Sequence, residues 1–212
     1  MAATQQRILH YLNQFFGGIG AEEHANIPPE VREEPVGPGR LLDAALDGGS
    51  VVATVICGDN YIVEETDAAL EVIGQALDRF QPDVVVAGPA FDAGRYGLGC
   101  ASVCMAASER GIPSVTAMHP DNTGVLTYGK HLVVLPTGAE VSEMQSAIAR
   151  LAEFATRLAR GGDLGPALED GYLPRGLRRP VAHEKTGAER AFDMMMARVK
   201  GEPFVSEVQA PQ

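Results

Sequence analysis

Cysteine, basic residues and long apolar runs are all scarce in this chain, and each shortage excludes a class of protein. Three cysteines among 212 residues are an odd number, which does not make the disulfide frame of a small secreted fold. In a reducing compartment they are expected to be thiols, metal ligands or redox groups. Only 17 lysines and arginines stand against 28 acids, a net charge of −11. Without a basic stripe the phosphates of a nucleic acid have nothing to neutralise them, so no nucleic-acid partner is expected. No apolar run approaches the roughly 18 residues of a membrane helix, and the start, Met-Ala-Ala-Thr, lacks the basic-then-apolar order of a leader. No membrane partner is therefore expected, and a cytoplasmic location is. Also missing are a Cys-x-x-Cys, a His-Glu-x-x-His, a Walker loop and a dinucleotide fingerprint, so no metal and no cofactor is expected.

What is present is a rhythm of short apolar runs, each closing on a polar loop. The runs Ile8–Leu12, Val51–Ile56, Val84–Ala87 and Ser114–Ala117 have the length of buried strands. The loops that follow are Asn13–Gly18, Cys57–Tyr61, Gly88–Tyr96 and Met118–Asn122. Between them lie helical patterns. Ala69, Leu70, Ile73, Ala76, Leu77 and Phe80 recur at spacings of three and four within an expected helix from Glu64 to Phe80. Further helices are expected from Pro38 to Leu46, Tyr96 to Arg110, Val141 to Arg160 and Ala188 to Lys200, with a fifth strand over His131–Leu135. The alternation predicts an α/β fold: an open, mostly parallel, Rossmann-like three-layer sheet with helices on both faces.

The 45% hydrophobic content supports a sizeable core in one α/β domain over 1–160. From 161 to 212, glycines and prolines break the periodicity. That part reads as an extended arm with one helix, packing on the domain or on a partner subunit. Gly17–Gly39, rich in proline and glutamate, is long for a loop and reads as a lid or a partner surface.

In a parallel sheet, loops after the carboxyl ends gather on one rim, where such folds bind ligands. Cys57 follows a strand directly. There it is either a rim thiol whose thiolate is favoured by nearby helix amides, or a buried structural cysteine. Cys100 and Cys104, four apart on one helix face among alanines, read as core packing. The glycine-rich turn Gly88–Gly94 is expected to aim backbone amides at an anion, with Arg95 as a carboxylate clamp or as one half of a surface ion pair. His119 is a candidate general acid or base, or simply a hydrogen-bonding loop residue.

Several stretches resemble a known family: ILHYLNQFFGGIGAEE over Ile8–Glu23, Glu34–Gly39, Val52–Tyr61, AGPAFDAGRYG over Ala87–Gly97, the Cys100/Cys104 spacing and Gly171–Gly176. Their order is similar to that of component B of the glycine/sarcosine/betaine reductase complex, the substrate-specific selenoprotein. The resemblance covers that component's amino-terminal half and implies a separately encoded subunit. It implies reductive cleavage of a carbon–heteroatom bond, carbon–nitrogen in the family, in a small-molecule substrate. It also implies a companion subunit carrying the selenocysteine or cysteine site, a thioredoxin-type reductant and a hetero-oligomer. No selenocysteine segment occurs in these 212 residues, so the family's nucleophile transfers to no residue here, and the chain alone is expected to be inactive. Cys57 and His119 are then the catalytic candidates, and Asn13, Asp59, Asn60, Gly88, Asp92, Gly94 and Arg95 the substrate-binding ones. The alternative is a non-catalytic substrate-binding or scaffold subunit that keeps the fold.

Overall fold

A computed structural model describes residues 5–176 and 184–206. They fall into two compact units divided near residue 177. The first unit is a six-stranded sheet in the order β2-β3-β1-β4-β5-β6. Its strands are β1 Gln6–Asn13, β2 Glu30–Arg32, β3 Gly49–Cys57, β4 Val84–Phe91, β5 Ser114–Met118 and β6 Val134–Pro136. All neighbours pair parallel except β2, which runs antiparallel along the edge of β3.

Alternate residues of each strand face opposite layers, and two cores result. Leu9, Tyr11, Val55, Val85 and Ala87 pack under α3 (Thr66–Phe80) and α4 (Gly94–Glu109). Ile8, Val51, Val84, Val86 and Val115 pack under α1 (Gly39–Ala45) and α6 (Met144–Ala159). The three-layer α/β architecture expected from the sequence is the one observed. The helix α3 shows why: its buried Ala69, Ile73, Ala76, Leu77 and Phe80 lie on one face. Each large side chain removed from water there stabilises by roughly 1.5–3 kcal/mol. Gln81 in the left-handed region, with φ 43°, turns the chain out of that helix ahead of Pro82. The small residues of α4 allow close approach: a Cβ on Gly97 would lie 1.9 Å from Asn122 Oδ1.

Elements differ from the periodicity in five places. The helix expected over Glu64–Phe80 is α3, starting at Thr66, and an additional helix, α2 Asp59–Glu64, precedes it, separated at Glu65, whose φ −118° and ψ 45° are not helical. Strand β4 runs four residues past Ala87. It does so through a bulge in which Ala87 to Phe91 spans what Thr116 to Met118 spans on β5. Two short elements carry too little periodicity to be read: the charged edge strand β2, and α5 Thr123–Tyr128, which the Asn122 side chain caps by accepting from Gly124 N at 2.8 Å. The last strand is Val134–Pro136, shifted from His131–Leu135, because the His131 amide closes a turn onto Tyr128 O.

After α6 the chain stays in the first unit through residue 176. Tyr172 is buried in the second core and donates to Gly165 O at 2.9 Å, and Leu173 N donates to Val134 O. A short helix, α7 Ala167–Asp170, lies in this segment. The second unit contains α8, Gly187–Lys200, opened by a capping box in which Thr186 and Glu189 satisfy each other's amides. Among the described residues no helix is long and apolar enough to cross a membrane.

Candidate functional site

The strand order reverses direction around β1. The chain leaves β1 toward β3 on one side, and leaves β4 toward β5 on the other. At such a switch point the loops part and leave a crevice beyond the carboxyl ends. A crevice of about 410 Å³ lies there. Its walls are the Asn13–Phe16 turn after β1, Asp59 at the start of α2, and Ala90–Ala93 at the end of β4, with Ala21 and Glu22 from the long loop and Val141 opposite.

Asp59 is the centre of its hydrogen bonding. Asn13 Nδ2 donates to Asp59 Oδ2 at 3.0 Å, and the Asp59 amide donates to Gln14 Oε1 at 3.0 Å. Asn13 is itself fixed, since its Oδ1 accepts from Phe16 N at 2.9 Å. Consecutive residues on one strand end therefore clamp the side chain and the main chain of a residue 45 or 46 positions away. The second carboxylate oxygen, Oδ1, is buried without a hydrogen-bond partner, as is Asn60 Oδ1. Burial holds the Asp59 carboxyl above the usual carboxylate range. The Asn13 and Gln14 hydrogen bonds and the charge of Arg95 pull it back down, and the charge of Glu22 pushes it up.

Three lining residues are ionisable, Glu22, Asp59 and Asp92, and all are acids. Beside them stands an aromatic cluster. The Phe16 ring lies 5.3 Å from Phe15, 6.4 Å from Phe91 and 5.8 Å from Tyr96, centroid to centroid. Carboxylates next to aromatic rings suit a small cation.

The structure brings Asn13, Asp59, Asn60 and Asp92 to this region and corrects other expectations. Gly88 is not in a rim turn. It lies buried inside β4 at φ 95°, its carbonyl 2.7 Å from His10 Nε2. The turn contracts to Asp92–Ala93, and free helix amides begin at Gly94, where α4 starts. Arg95, half-exposed on the first turn of α4, is bonded to Glu22 Oε1 at 2.5 Å. Of the two roles open to Arg95, the ion pair is the one formed.

Cys57 is fully buried. Burial, then the charge of Asp59, pushes its thiol up to about 12, so it is a protonated thiol and not an activated thiolate. The cause is the long loop: Ile27 folds over the strand end, and Cys57 Sγ points to its carbonyl at 3.8 Å. Cys100 and Cys104 are buried and unpaired, as core packing requires, with Cys104 also pushed up to about 12 by burial. His119 stands behind the crevice wall: its amide donates to Phe91 O at 2.8 Å and its Nδ1 accepts from Asp121 N at 3.2 Å. Nothing in the sequence pattern singled out Gln14, Glu22 or His10. Gln14 sat unremarked beside Asn13, and Glu22 in an acidic loop with no periodicity. Among the described residues no group of three or more His, Cys, Asp or Glu side chains is placed to hold a metal.

Residues 5–212 match the family model described as glycine/sarcosine/betaine reductase selenoprotein B. The chain is 46% identical, over 97% of its length, to the sarcosine reductase complex component B subunit beta of Peptoclostridium acidaminophilum. It is 47% identical over 97% of its length to the glycine reductase complex component B subunit gamma of Symbiobacterium thermophilum. To the betaine reductase complex component B subunit beta of Peptoclostridium acidaminophilum it is 37% identical over 98%. In each case it covers 48% of the relative, so the chain spans about half the length of the curated relatives it matches. No solved structure matches it. With a family match over residues 5–212 and relatives named for three such complexes, the chain belongs to the glycine/sarcosine/betaine reductase selenoprotein B family.

Proposed function

We propose that this chain is the substrate-holding part of a component-B assembly that reductively cleaves the carbon–nitrogen bond of a small amine-bearing acid. A companion polypeptide brings the selenol or thiol that attacks carbon. The observation that carries this reading is a crevice rich in binding groups but without an accessible nucleophile: Cys57, Cys100 and Cys104 are all buried. The family's relatives are named for glycine, sarcosine and betaine, each an ammonium joined to a carboxylate.

The ammonium end fits the acidic and aromatic side of the crevice. Asp59 offers its unpartnered Oδ1 as the counter-charge, Asn13 and Asn60 orient the group, and Phe16 and Phe91 face its methyls. Asp92 adds a second, more exposed charge. The carboxylate end fits Arg95 and the first amides of α4 at Gly94. Attack by the companion's nucleophile forms a bond to carbon as the amine departs with the C–N electron pair. Where that amine is primary or secondary, Asp59, whose proton affinity is raised by burial, is placed to exchange a proton with it. A thioredoxin-type dithiol then cleaves that new bond: one thiol joins the selenium or sulfur, the carbon leaves with the bond's electron pair and takes a proton, and the second thiol frees the nucleophile as the disulfide closes. Reducing cytosol is the compartment that keeps such a nucleophile unpaired. In this reading Cys57 packs beneath Asp59, and His119 acts only by bracing Phe91.

The test is co-expression with the companion, followed by measurement of methylamine released from sarcosine or trimethylamine released from betaine with a dithiol reductant. Release is expected from the pair and not from the 212-residue chain alone. Turnover by the isolated chain refutes the divided site. Ligand binding without turnover in the reconstituted pair leaves the binding-only alternative.

A further inference from the structure

We propose that Glu22 is a resident carboxylate that occupies Arg95 until the carboxylate of a bound zwitterion displaces it. This rests on the proposed function and adds to it the residue that sets selectivity at the anionic end.

Glu22 lines the crevice, and its Oε1 accepts from Arg95 Nη2 at 2.5 Å. Both charges reach Asp59, Arg95 lowering and Glu22 raising its proton affinity. The pair therefore stands within electrostatic range of the carboxyl proposed to hold the ammonium. The neighbouring acid is engaged differently. Glu23 Oε1 accepts from Ala21 N at 3.0 Å and lies 3.3 Å from His24 Nδ1, fixing the turn locally. Glu22 is thus the member of this acidic turn that both lines the crevice and pairs with the first turn of α4.

The pair is not needed to hold the loop. Ala25 O accepts from Asn60 N at 2.8 Å and from Tyr61 N at 3.1 Å, and Ile27 O accepts from Gly58 N at 3.0 Å. Those bonds tie the loop to α2 whether or not Glu22 engages Arg95. Side-chain exposures of 52% for Arg95 and 70% for Glu22 put the pair in water, where such contacts contribute little net stability. Giving up the pair for a ligand carboxylate therefore costs only a few-fold in affinity. It also moves the Glu22 charge away from Asp59 as the ligand enters. A cation without a carboxylate leaves the pair unbroken, so Glu22 lowers the affinity of zwitterions and not that of such cations.

The experiment is titration of the full 212-residue chain, followed by NMR, with trimethylglycine and with tetramethylammonium. Glu22→Gln removes the competing charge and is expected to tighten trimethylglycine about two- to fivefold, without tightening tetramethylammonium. In an Arg95→Ala background the gain is expected to vanish. If wild type binds both probes and Glu22→Gln leaves trimethylglycine unchanged or weaker, the displacement idea is overturned while the ammonium site stands. If wild type binds neither probe, both readings fall.

Discussion

His10 gives this fold an acid sensitivity that is separable from its carboxylates. The side chain is fully buried on β1, and Nε2 donates to Gly88 O at 2.7 Å. Its other nitrogen, Nδ1, has no partner, and a Cβ on Gly39 would lie 2.8 Å from it. Protonating Nδ1 puts a positive charge in the core with no acceptor. Burial therefore lowers the His10 pKa from 6.5 to about 4, the Gly88 hydrogen bond opposing. Between these two values the unfolded chain binds a proton that the folded chain refuses. The contribution of His10 is thus fully present above pH 6.5 and is lost as the pH falls toward 4. Linkage sets the loss at about 2 kcal/mol by pH 5 and about 3 kcal/mol by pH 4. Urea unfolding of wild type and His10→Gln at pH 7.5 and 5.0 measures it, because Gln keeps a donor for Gly88 O but does not titrate. Asp59, shifted in the opposite sense, is common to both proteins and cancels in the difference. Wild type should lose about 2 kcal/mol more than the variant over that interval. Parallel losses, or an imidazole NMR midpoint near its ordinary value, refute the reasoning.

Two further outcomes follow from packing. Iodoacetamide at pH 8 should label Cys57, Cys100 and Cys104 slowly in the native protein and readily in urea, since all three thiols are buried. Rapid native labelling of Cys57, read by peptide mapping, contradicts its burial. Gly97→Ala should destabilise by about 1–3 kcal/mol or more, because the new methyl meets Asn122 Oδ1 at 1.9 Å while Asn122 also holds Phe91 O and Ala93 O. Thermal denaturation checks it, and an unchanged melting temperature means Asn122 yields freely.

Local order was enough to read most of the first unit. Val84–Ala87 is apolar at every position and is buried on both faces, and the spacing of Ile73, Leu77 and Phe80 matches the buried stripe of α3. Burial energy acts at every such position and leaves a period in the sequence. β2 left no such trace. Three residues with Glu30 and Arg32 joined at 2.6 Å form an edge strand because β3 offers an open edge, which no local pattern records.

The candidate site divides in the same way. Its polar loops, and their place on one rim, follow from the sequence alone, because a parallel sheet gathers the carboxyl ends of its strands. Which groups do the work was decided by contacts over long separations: Asn13 with Asp59 across 46 residues and Arg95 with Glu22 across 73. Of the two readings the sequence leaves open for Cys57, the residues around Ile27 that cover it decided for the core thiol. Strand and helix periods come from interactions between near neighbours and are written along the chain. Proton affinity and hydrogen-bond partnership depend on which distant atoms exclude water, and that exists only in the folded chain.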